Sequence, residues 1–424
     1  MTVLPSEPPP RAPVAFGRMN LTNPNSAKTE TTILSICNFL SKGWEVSILS
    51  LLVFIQQKYS FPLYMVGILS GVFITCQIGV SFFAGKIAHA IHSRNVVLLA
   101  IAASGFAWFT LFAAHQTVLL YVAYALGGAA SGLFEPIGNS LVAKRSSMKN
   151  RGTAIGNFAA FGDMGRMAFL AAANLLAGRM GVNHACGVLL ATNIAALVVS
   201  HIYLSRPDPS DDPETDERPI RTRELLKNSK FCHATIAGIA DSFSSASLFI
   251  FLPFLLLPKG IALDNTGYFN GILFAGYFSG RLVLGRMADK YGPTAILVIS
   301  KVIMAILIVA LVLISGIVPI MALVFVLGIF TRGTSPIIRA MVADSMDERI
   351  SFHDAFAAYS FASRGSTAVC RPIYGFLGSF AGIASVFYVM AAVSLLTFYP
   401  AAKYDGKNPF GIARRRIRRN VNGL

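Results

Sequence analysis

The sequence predicts an all-α integral membrane protein whose twelve transmembrane helices form two pseudo-symmetric six-helix bundles. Three observations lead to this fold class. Hydrophobic residues make up 54% of the 424 residues and charged residues 13%, whereas a soluble domain carries about 25% charged residues. Apolar runs of about 20 residues, long enough to cross a bilayer as a helix, recur along the chain. The second half also repeats features of the first at a constant offset of 200 residues.

The twelve predicted helices are numbered α1 to α12 in chain order. The first six cover residues 31–57, 62–84, 95–114, 117–143, 152–177 and 184–204. The seventh begins near Phe231, and α8 to α12 cover residues 265–284, 293–315, 318–343, 352–380 and 383–400. Gly128 and Gly132 of α4 have the GxxxG spacing that lets helices approach closely.

The same pattern divides the chain into domains. Residues 205–230 are rich in proline and acidic side chains, so they cannot bury enough apolar area to fold alone and form a hydrophilic linker. The predicted order is a disordered tail (1–30), a first bundle (31–204), the linker, a second bundle (231–402) and a basic tail (403–424).

The repeat is most visible in the loop after α8. Residues 285–293 read Gly-Arg-Met-Ala-Asp-Lys-Tyr-Gly-Pro, and residues 85–88 read Gly-Lys-Ile-Ala at the same place in the first half. The same offset pairs Gly67 with Gly267. The chain therefore uses one six-helix unit twice.

This loop resembles the signature between the second and third helices of the major facilitator superfamily, which is a glycine, a small residue, an aspartate, a basic residue and a glycine. The resemblance covers nearly the whole chain and implies a secondary transporter. It also implies that Asp289 contacts neighbouring helix ends and so holds the outward-facing state. In the first copy His89 replaces the aspartate, which makes that half of the latch sensitive to pH. The predicted latch residues are Gly85, His89, Arg94, Gly285, Arg286, Asp289, Lys290 and Gly292.

Basic residues are concentrated in the two tails and in alternate loops. The formal net charge of +16 would suggest nucleic acid in a soluble protein, but only Lys58, Arg179 and Lys259 fall in the opposite loops. Basic loops on one side of a membrane are typical of the cytoplasmic side. We therefore expect a multi-pass protein of the bacterial inner membrane with both termini in the cytoplasm and no nucleic-acid partner.

Ionisable residues inside the spans are the candidate functional residues, because a charge at the bilayer centre costs roughly 3 kcal/mol or more. By the resemblance, α1, α4, α7 and α10 line the central cavity, and α2, α5, α8 and α11 lie between the halves. The predicted substrate and proton pathway consists of Lys42, Glu45, Glu135, Asp163, Arg166, Asp241, Arg332 and Arg364.

Part of this set has a plain structural interpretation. Two pairs lie three residues apart, Lys42 with Glu45 and Asp163 with Arg166. Residues at this spacing share a helical face, so each pair can neutralise itself without any role in transport.

Glu135 and Asp241 lack a basic residue nearby in sequence. An apolar environment favours the neutral form of a carboxyl, so either residue is a candidate for the coupling proton. The alternative is a tertiary salt bridge to an arginine such as Arg332 or Arg364.

The arginines of the second half bear on substrate charge. Arg332, Arg364 and Arg371 have no acidic residue close by in sequence and stay charged, so they favour an anionic group or a carboxylate partner. This inclines the prediction towards an anionic or zwitterionic substrate. Arg281 of α8 is interpreted as structural, paired with a group on α7 or α11.

Motifs for other membrane functions are missing. Residues 79–86 come nearest to a phosphate-binding loop, but one residue too many separates the glycines and Ile87 follows where Ser or Thr is required. The sequence contains no metal-protease, redox or serine-hydrolase motif. We therefore expect no enzymatic activity, no cofactor and no metal site.

The predicted function is secondary active transport of a small organic solute, coupled to protons, by alternating access. The expected partners are this substrate, protons and the lipid bilayer, and the expected state is a monomer. Three alternatives stay open: a drug or lipophilic-cation efflux antiporter, a transporter of a metal ion or metal complex, and a non-transporting sensor or scaffold. Tyr124 stands four residues before Gly128, where drug antiporters carry arginine, and α5 lacks their Gly-Pro pair, which weakens the first alternative.

Overall fold

The computed structural model describes residues 24–146, 151–204, 222–346 and 352–404, and these residues form helices without any strand. In the first half, α1 comprises Pro24–Ser50 and Leu52–Tyr59, with a break at Leu51. The next five helices are Leu63–Ile91, Ser93–Phe112, Thr117–Arg145, Arg151–Met180 and Val182–Tyr203.

The second half follows the same order. Its first span, α7, comprises Ser229–Ser245 and Leu248–Leu256 and ends in the 3-10 turn Leu257–Lys259. A further 3-10 turn, Leu263–Asn265, leads into α8. The remaining spans are Thr266–Tyr291 (α8), Pro293–Leu313 (α9), Ile317–Arg332 with Ser335–Asp344 (α10), Phe352–Ala381 (α11) and Ile383–Leu396 with Phe398–Tyr404 (α12).

The predicted twelve-helix fold is confirmed. Among the described spans, nine are long and apolar enough to cross a membrane by length and composition. The other three, α5, α8 and α11, have 30, 26 and 30 residues but carry ionisable side chains that lower their hydropathy. These three pack between the halves, α5 against α8 and α11 against α2, so their charges find protein partners instead of lipid.

The two halves use the same turns. Ser60 and Gly260 both have positive φ, as do His92 and Gly292, and each pair is separated by 200 residues. Positive φ is uncommon outside glycine because the Cβ atom clashes with the backbone. Its recurrence at this offset supports the pseudo-symmetry of the two bundles.

Glycines allow the backbones of α4 and α2 to come into contact. A Cβ atom on Gly128 would collide with the carbonyl oxygen of Phe73, and one on Gly132 with that of Gln77. In the second half α10 meets α8 in the same way, because a Cβ on Gly328 would collide with the carbonyl of Leu273. The predicted GxxxG spacing therefore marks a true helix contact.

The end of the predicted linker folds onto the second half. Thr222–Lys227 is helical, and Leu225 is buried in a cluster with Phe231. Asn228 caps α7 by accepting a hydrogen bond from the backbone N–H of Phe231 at 3.1 Å. The burial of Leu225 and the Asn228 cap thus stabilise the end of a segment whose composition is mostly hydrophilic. The rest of the linker, most of the predicted N-terminal tail and the arginine-rich C-terminal tail lie outside the described residues, and α1 begins at Pro24, before its predicted start.

The halves meet most closely on one membrane face. We call the face that holds the start of α1 and the end of α12 the terminal face, and the other the distal face. Towards the distal face, Gly67 packs against the backbone of α11, the N–H of Tyr64 donates to Ser379 Oγ at 2.7 Å, and Gly178 packs against Asp264. The glycine contacts between the halves, within the described ranges, all lie on this side. The cleft between the halves therefore opens towards the terminal face.

Candidate functional site

A network of ion pairs crosses the middle of the first half. Lys42 Nζ on α1 lies 2.8 Å from Glu45 Oε2 and 2.9 Å from Glu135 Oε2 on α4. On α5, Arg166 lies 2.8 Å from Asp163 Oδ1 and 3.7 Å from Glu45 Oε1. The two pairs predicted from their spacing both form, and Glu45 joins them into one network.

Neutral side chains extend this network. Ser131 Oγ donates to Glu45 Oε2 at 2.8 Å, and Gln77 Nε2 donates to Ser131 Oγ at 2.7 Å. Sequence reasoning missed both residues, because a buried serine or glutamine has no charge that marks it as exceptional in a span.

Two arginines of the second half complete the network across the cleft. Arg364 Nη2 on α11 lies 2.7 Å from Glu135 Oε1, and Arg281 on α8 pairs with Asp163 on α5. The expected partner of Arg281 on α7 or α11 was wrong, because α8 packs against α5 and turns this arginine towards the first half. The side chain of Glu135 is 27% exposed, so it is accessible from the cleft.

A second charge cluster lies wholly inside the second half. Asp241 on α7 pairs with Lys301 on α9 and accepts a hydrogen bond from Thr334 Oγ1 at 2.7 Å. The side chains of Lys301 and Asp241 are 1% and 4% exposed. Sequence reasoning missed Lys301 and expected arginine as the partner. The available signal was the lysine within α9, a helix that is otherwise strongly apolar at this position.

The other arginines of the second half differ in their partners. Arg371 is buried and donates from Nη1 to the carbonyl oxygen of Ser70 on α2 at 2.9 Å. Arg332 ends the first segment of α10 and is partly exposed, and Arg339 is exposed. Within the described residues, neither Arg332 nor Arg339 has a hydrogen-bond or ion-pair partner.

The predicted latch residues lie at the terminal face. Arg94 holds the end of α6 by donating to the carbonyl oxygens of His201 at 2.8 Å and Leu204 at 3.1 Å. His89 and Asp289 are exposed and make no hydrogen bond or ion pair with any other described residue. The contacts expected of a latch are therefore not made while the cleft is open on this face.

Most of the other latch positions are helical, because α2 continues to Ile91 and α8 to Tyr291, beyond their predicted ends. Gly292 has a φ of 98° at the junction of α8 and α9. Lys290 Nζ lies 5.4 Å from the ring centroid of Tyr291, and Arg286 is exposed. No atom lies within 4 Å of a Cβ built on Gly85 or Gly285. In the described part of the chain, no group of three or more His, Cys, Asp or Glu side chains is placed to hold a metal ion.

Two related six-helix halves, joined by partly exposed ion pairs at mid-depth, are typical of membrane transporters built from repeats. The chain belongs to the Major Facilitator Superfamily, whose family model matches residues 31–349 and, in a second alignment, residues 234–414. None of the curated proteins compared with the sequence matches it.

Solved transporters share the fold at low identity. A bacterial homologue of the human lysosomal transporter Spinster, inward-facing and unoccupied, has a TM-score of 0.73 at 13% identity, covering 93% of this chain and 98% of the other. The nucleoside transporter NupG has a TM-score of 0.73 at 12% identity, covering 88% and 99%. A D-xylose-proton symporter has a TM-score of 0.72 at 12% identity, covering 89% and 98%.

Proposed function

We propose that this protein moves a small organic solute across the bacterial inner membrane by alternating access, and that Glu135 carries the coupling proton. One observation carries the proposal. Glu135 is paired at the same time with Lys42 of its own half and with Arg364 of the other half. Any motion that opens the distal face changes the distance between Glu135 and Arg364, so the charge of Glu135 is linked to the conformation.

Charge balance explains how a proton takes part. The network contributed by the first half consists of two basic and three acidic side chains, a net charge of −1, and is completed by Arg281 and Arg364 from the second half. If the halves separate and withdraw these arginines, an unbalanced negative charge stays buried, which is costly. A proton on Glu135 then restores neutrality, so a proton and Arg364 compete for the same carboxylate.

Glu135 is better suited to this role than Asp241. The pair of Asp241 and Lys301 lies within one half and is almost fully buried, so a motion between the halves does not separate it. Two of the similar structures are carriers of polar organic solutes, a nucleoside and D-xylose, and the second is a proton symporter. These neighbours agree with the proposal.

The test uses purified protein in proteoliposomes, after a screen of anions, cations and metal complexes has found a transported solute. Glu135→Gln keeps the shape of the side chain but cannot exchange a proton. We expect it to retain exchange of the solute across the membrane and to lose accumulation driven by a pH gradient. Asp264→Asn, which lies at the distal face outside the network, is the control and should retain both. Uphill accumulation by Glu135→Gln at the rate of the unmodified protein would refute the role of Glu135.

A further inference from the structure

Tyr277 and Arg332 are polar residues of the second half that the proton-coupling network does not use. Tyr277 of α8 is 6% exposed, and its hydroxyl is buried without a hydrogen-bond partner. Arg332 of α10 has no partner among the described residues. Buried polar groups are nearly always satisfied, so the Tyr277 hydroxyl lacks an expected partner, and the partly exposed Arg332 is free to hold an anion near it.

Helix packing brings these two groups to one place. Both α8 and α10 run from the distal to the terminal face, and their backbones touch where a Cβ on Gly276 or Gly280 would collide with the carbonyl of Phe325 or Ile329. Gly280 faces Ile329. Arg281 follows Gly280 directly and Arg332 lies three residues, about 4.5 Å, after Ile329, so the two arginines are at similar depth.

Tyr277 lies on the side of α8 next to the first half. With 100° between successive residues of a helix, Tyr277 lies between the face of α8 that contacts α10 and the face whose Arg281 pairs with Asp163 of the first half. Arg332 lies within electrostatic range of both Tyr277 and Arg281. Tyr277 and Arg332 are therefore on neighbouring helices of the second half, within electrostatic range of each other, and Tyr277 is near the contact between the halves.

Among the described residues, the positive charge of Arg332 has no carboxylate to balance it. Arg281 has its carboxylate partner in Asp163, whereas Arg332 has none. The corresponding positions of the first half are Gln77 and Gly132, where Gln77 is satisfied by Ser131 and no arginine is present. At these two positions, the excess positive charge and the unsatisfied hydroxyl occur in the second half only.

We infer that Arg332 and Tyr277 bind an oxyanion, the carboxylate or phosphate of an organic-anion substrate, on the second-half side of the cleft. This inference rests on the proposed transport function and adds the charge of the substrate to it. A planar guanidinium donates two parallel hydrogen bonds to a carboxylate or phosphate, and the Tyr277 hydroxyl supplies a further donor. Arg364, which the sequence also suggested for this task, is occupied by Glu135.

Calorimetry on the purified full-length protein in detergent tests the site without a gradient. The probes are benzoate, phenyl phosphate and the neutral analogue benzamide, which separate carboxylate from phosphate recognition and both from apolar binding. We expect one of the two anions to bind and benzamide not to. Arg332→Gln should weaken binding about 10- to 100-fold and Tyr277→Phe about tenfold, as expected for charge-assisted hydrogen bonds.

A matched tyrosine distinguishes binding from folding. Tyr277→Phe removes a hydroxyl without a partner, so the unfolding temperature should stay the same or rise. The buried hydroxyl of Tyr124 donates to the carbonyl of Ile48 at 2.7 Å, so Tyr124→Phe should lower stability and leave anion affinity unchanged.

The inference is overturned if neither anion binds more tightly than benzamide, or if both Arg332→Gln and Tyr277→Phe bind the anion as the unmodified protein does. A protein that accumulates only cations or neutral solutes refutes the anion site and leaves proton coupling intact. A protein that binds anions but never accumulates a solute refutes the transport proposal instead.

Discussion

At the scale of residues, the buried pair of Asp241 and Lys301 constrains the second half. Thr334 donates to the same Asp241 oxygen that faces the ammonium of Lys301. The groups are almost fully removed from solvent, so each charge depends on the other. The pair ties α7, α9 and α10 together within one half, and we interpret it as a structural element of that bundle.

This interpretation predicts a non-additive effect on stability. Lys301→Met or Asp241→Asn alone should lower the free energy of unfolding by about 3–5 kcal/mol, because one buried charge loses its partner. The double variant Asp241→Leu with Lys301→Met removes both charges and should recover most of this loss. Thermal unfolding in detergent measures all three variants. Single variants as stable as the unmodified protein would show that the pair is not buried as described.

The residues of the site were predictable as ionisable groups in apolar spans, but their partners were not. Spacing in sequence identified Lys42 with Glu45 because both lie on one helix. The pairing of Glu135 with Arg364 depends on how two helices of different halves are rotated and displaced, which composition does not encode. Tyr277 gave no signal at all, since a tyrosine in a span is ordinary until its hydroxyl is seen without a partner.

At the scale of elements, the contact of α2 with α4 depends on small residues. The nearest atom to a Cβ built on Gly128 is the carbonyl oxygen of Phe73. Backbone atoms of a helix cannot move aside without shifting the whole helix. The spacing of the two spans is therefore set at this contact.

Gly128→Ala should destabilise the protein by about 1–3 kcal/mol, the usual cost of overpacking. Gly79→Ala in α2 is the matched control, because no atom lies within 4 Å of the added methyl group, and it should leave stability unchanged or slightly higher. Chemical or thermal unfolding in the same detergent compares the two variants. Equal stability of both would contradict the backbone contact between α2 and α4.

Most helices were predictable from apolar runs punctuated by glycine, proline and charged residues. The breaks inside α7 and α10 were not, because their segments continue one hydrophobic run across the break. The short helix Thr222–Lys227 was missed because average composition hid the burial of Leu225. Helix breaks and short helices of this kind depend on which surfaces of the folded protein are available to bury their apolar side chains.

At the scale of the whole molecule, the two halves are closed at the distal face and joined at mid-depth by ion pairs from Arg281 and Arg364. Opening the distal face requires these arginines to leave the first half. We expect the terminal face to close in that state and Asp289, in the last turn of α8, to engage neighbouring helix ends. When Arg281 and Arg364 leave the network of the first half, a proton on Glu135 replaces the lost positive charge.

The central claim is that protonation of Glu135 drives this exchange, and it is tested most directly by a distance measured against pH. Spin labels are placed at Ala90 and Met287, which are exposed near the terminal ends of α2 and α8, after replacement of the five native cysteines. In the unmodified site, acidification should increase the population with a short distance, because the terminal face closes. Glu135→Gln should show that population at every pH, whereas a variant that follows pH as the unmodified protein does would contradict the account.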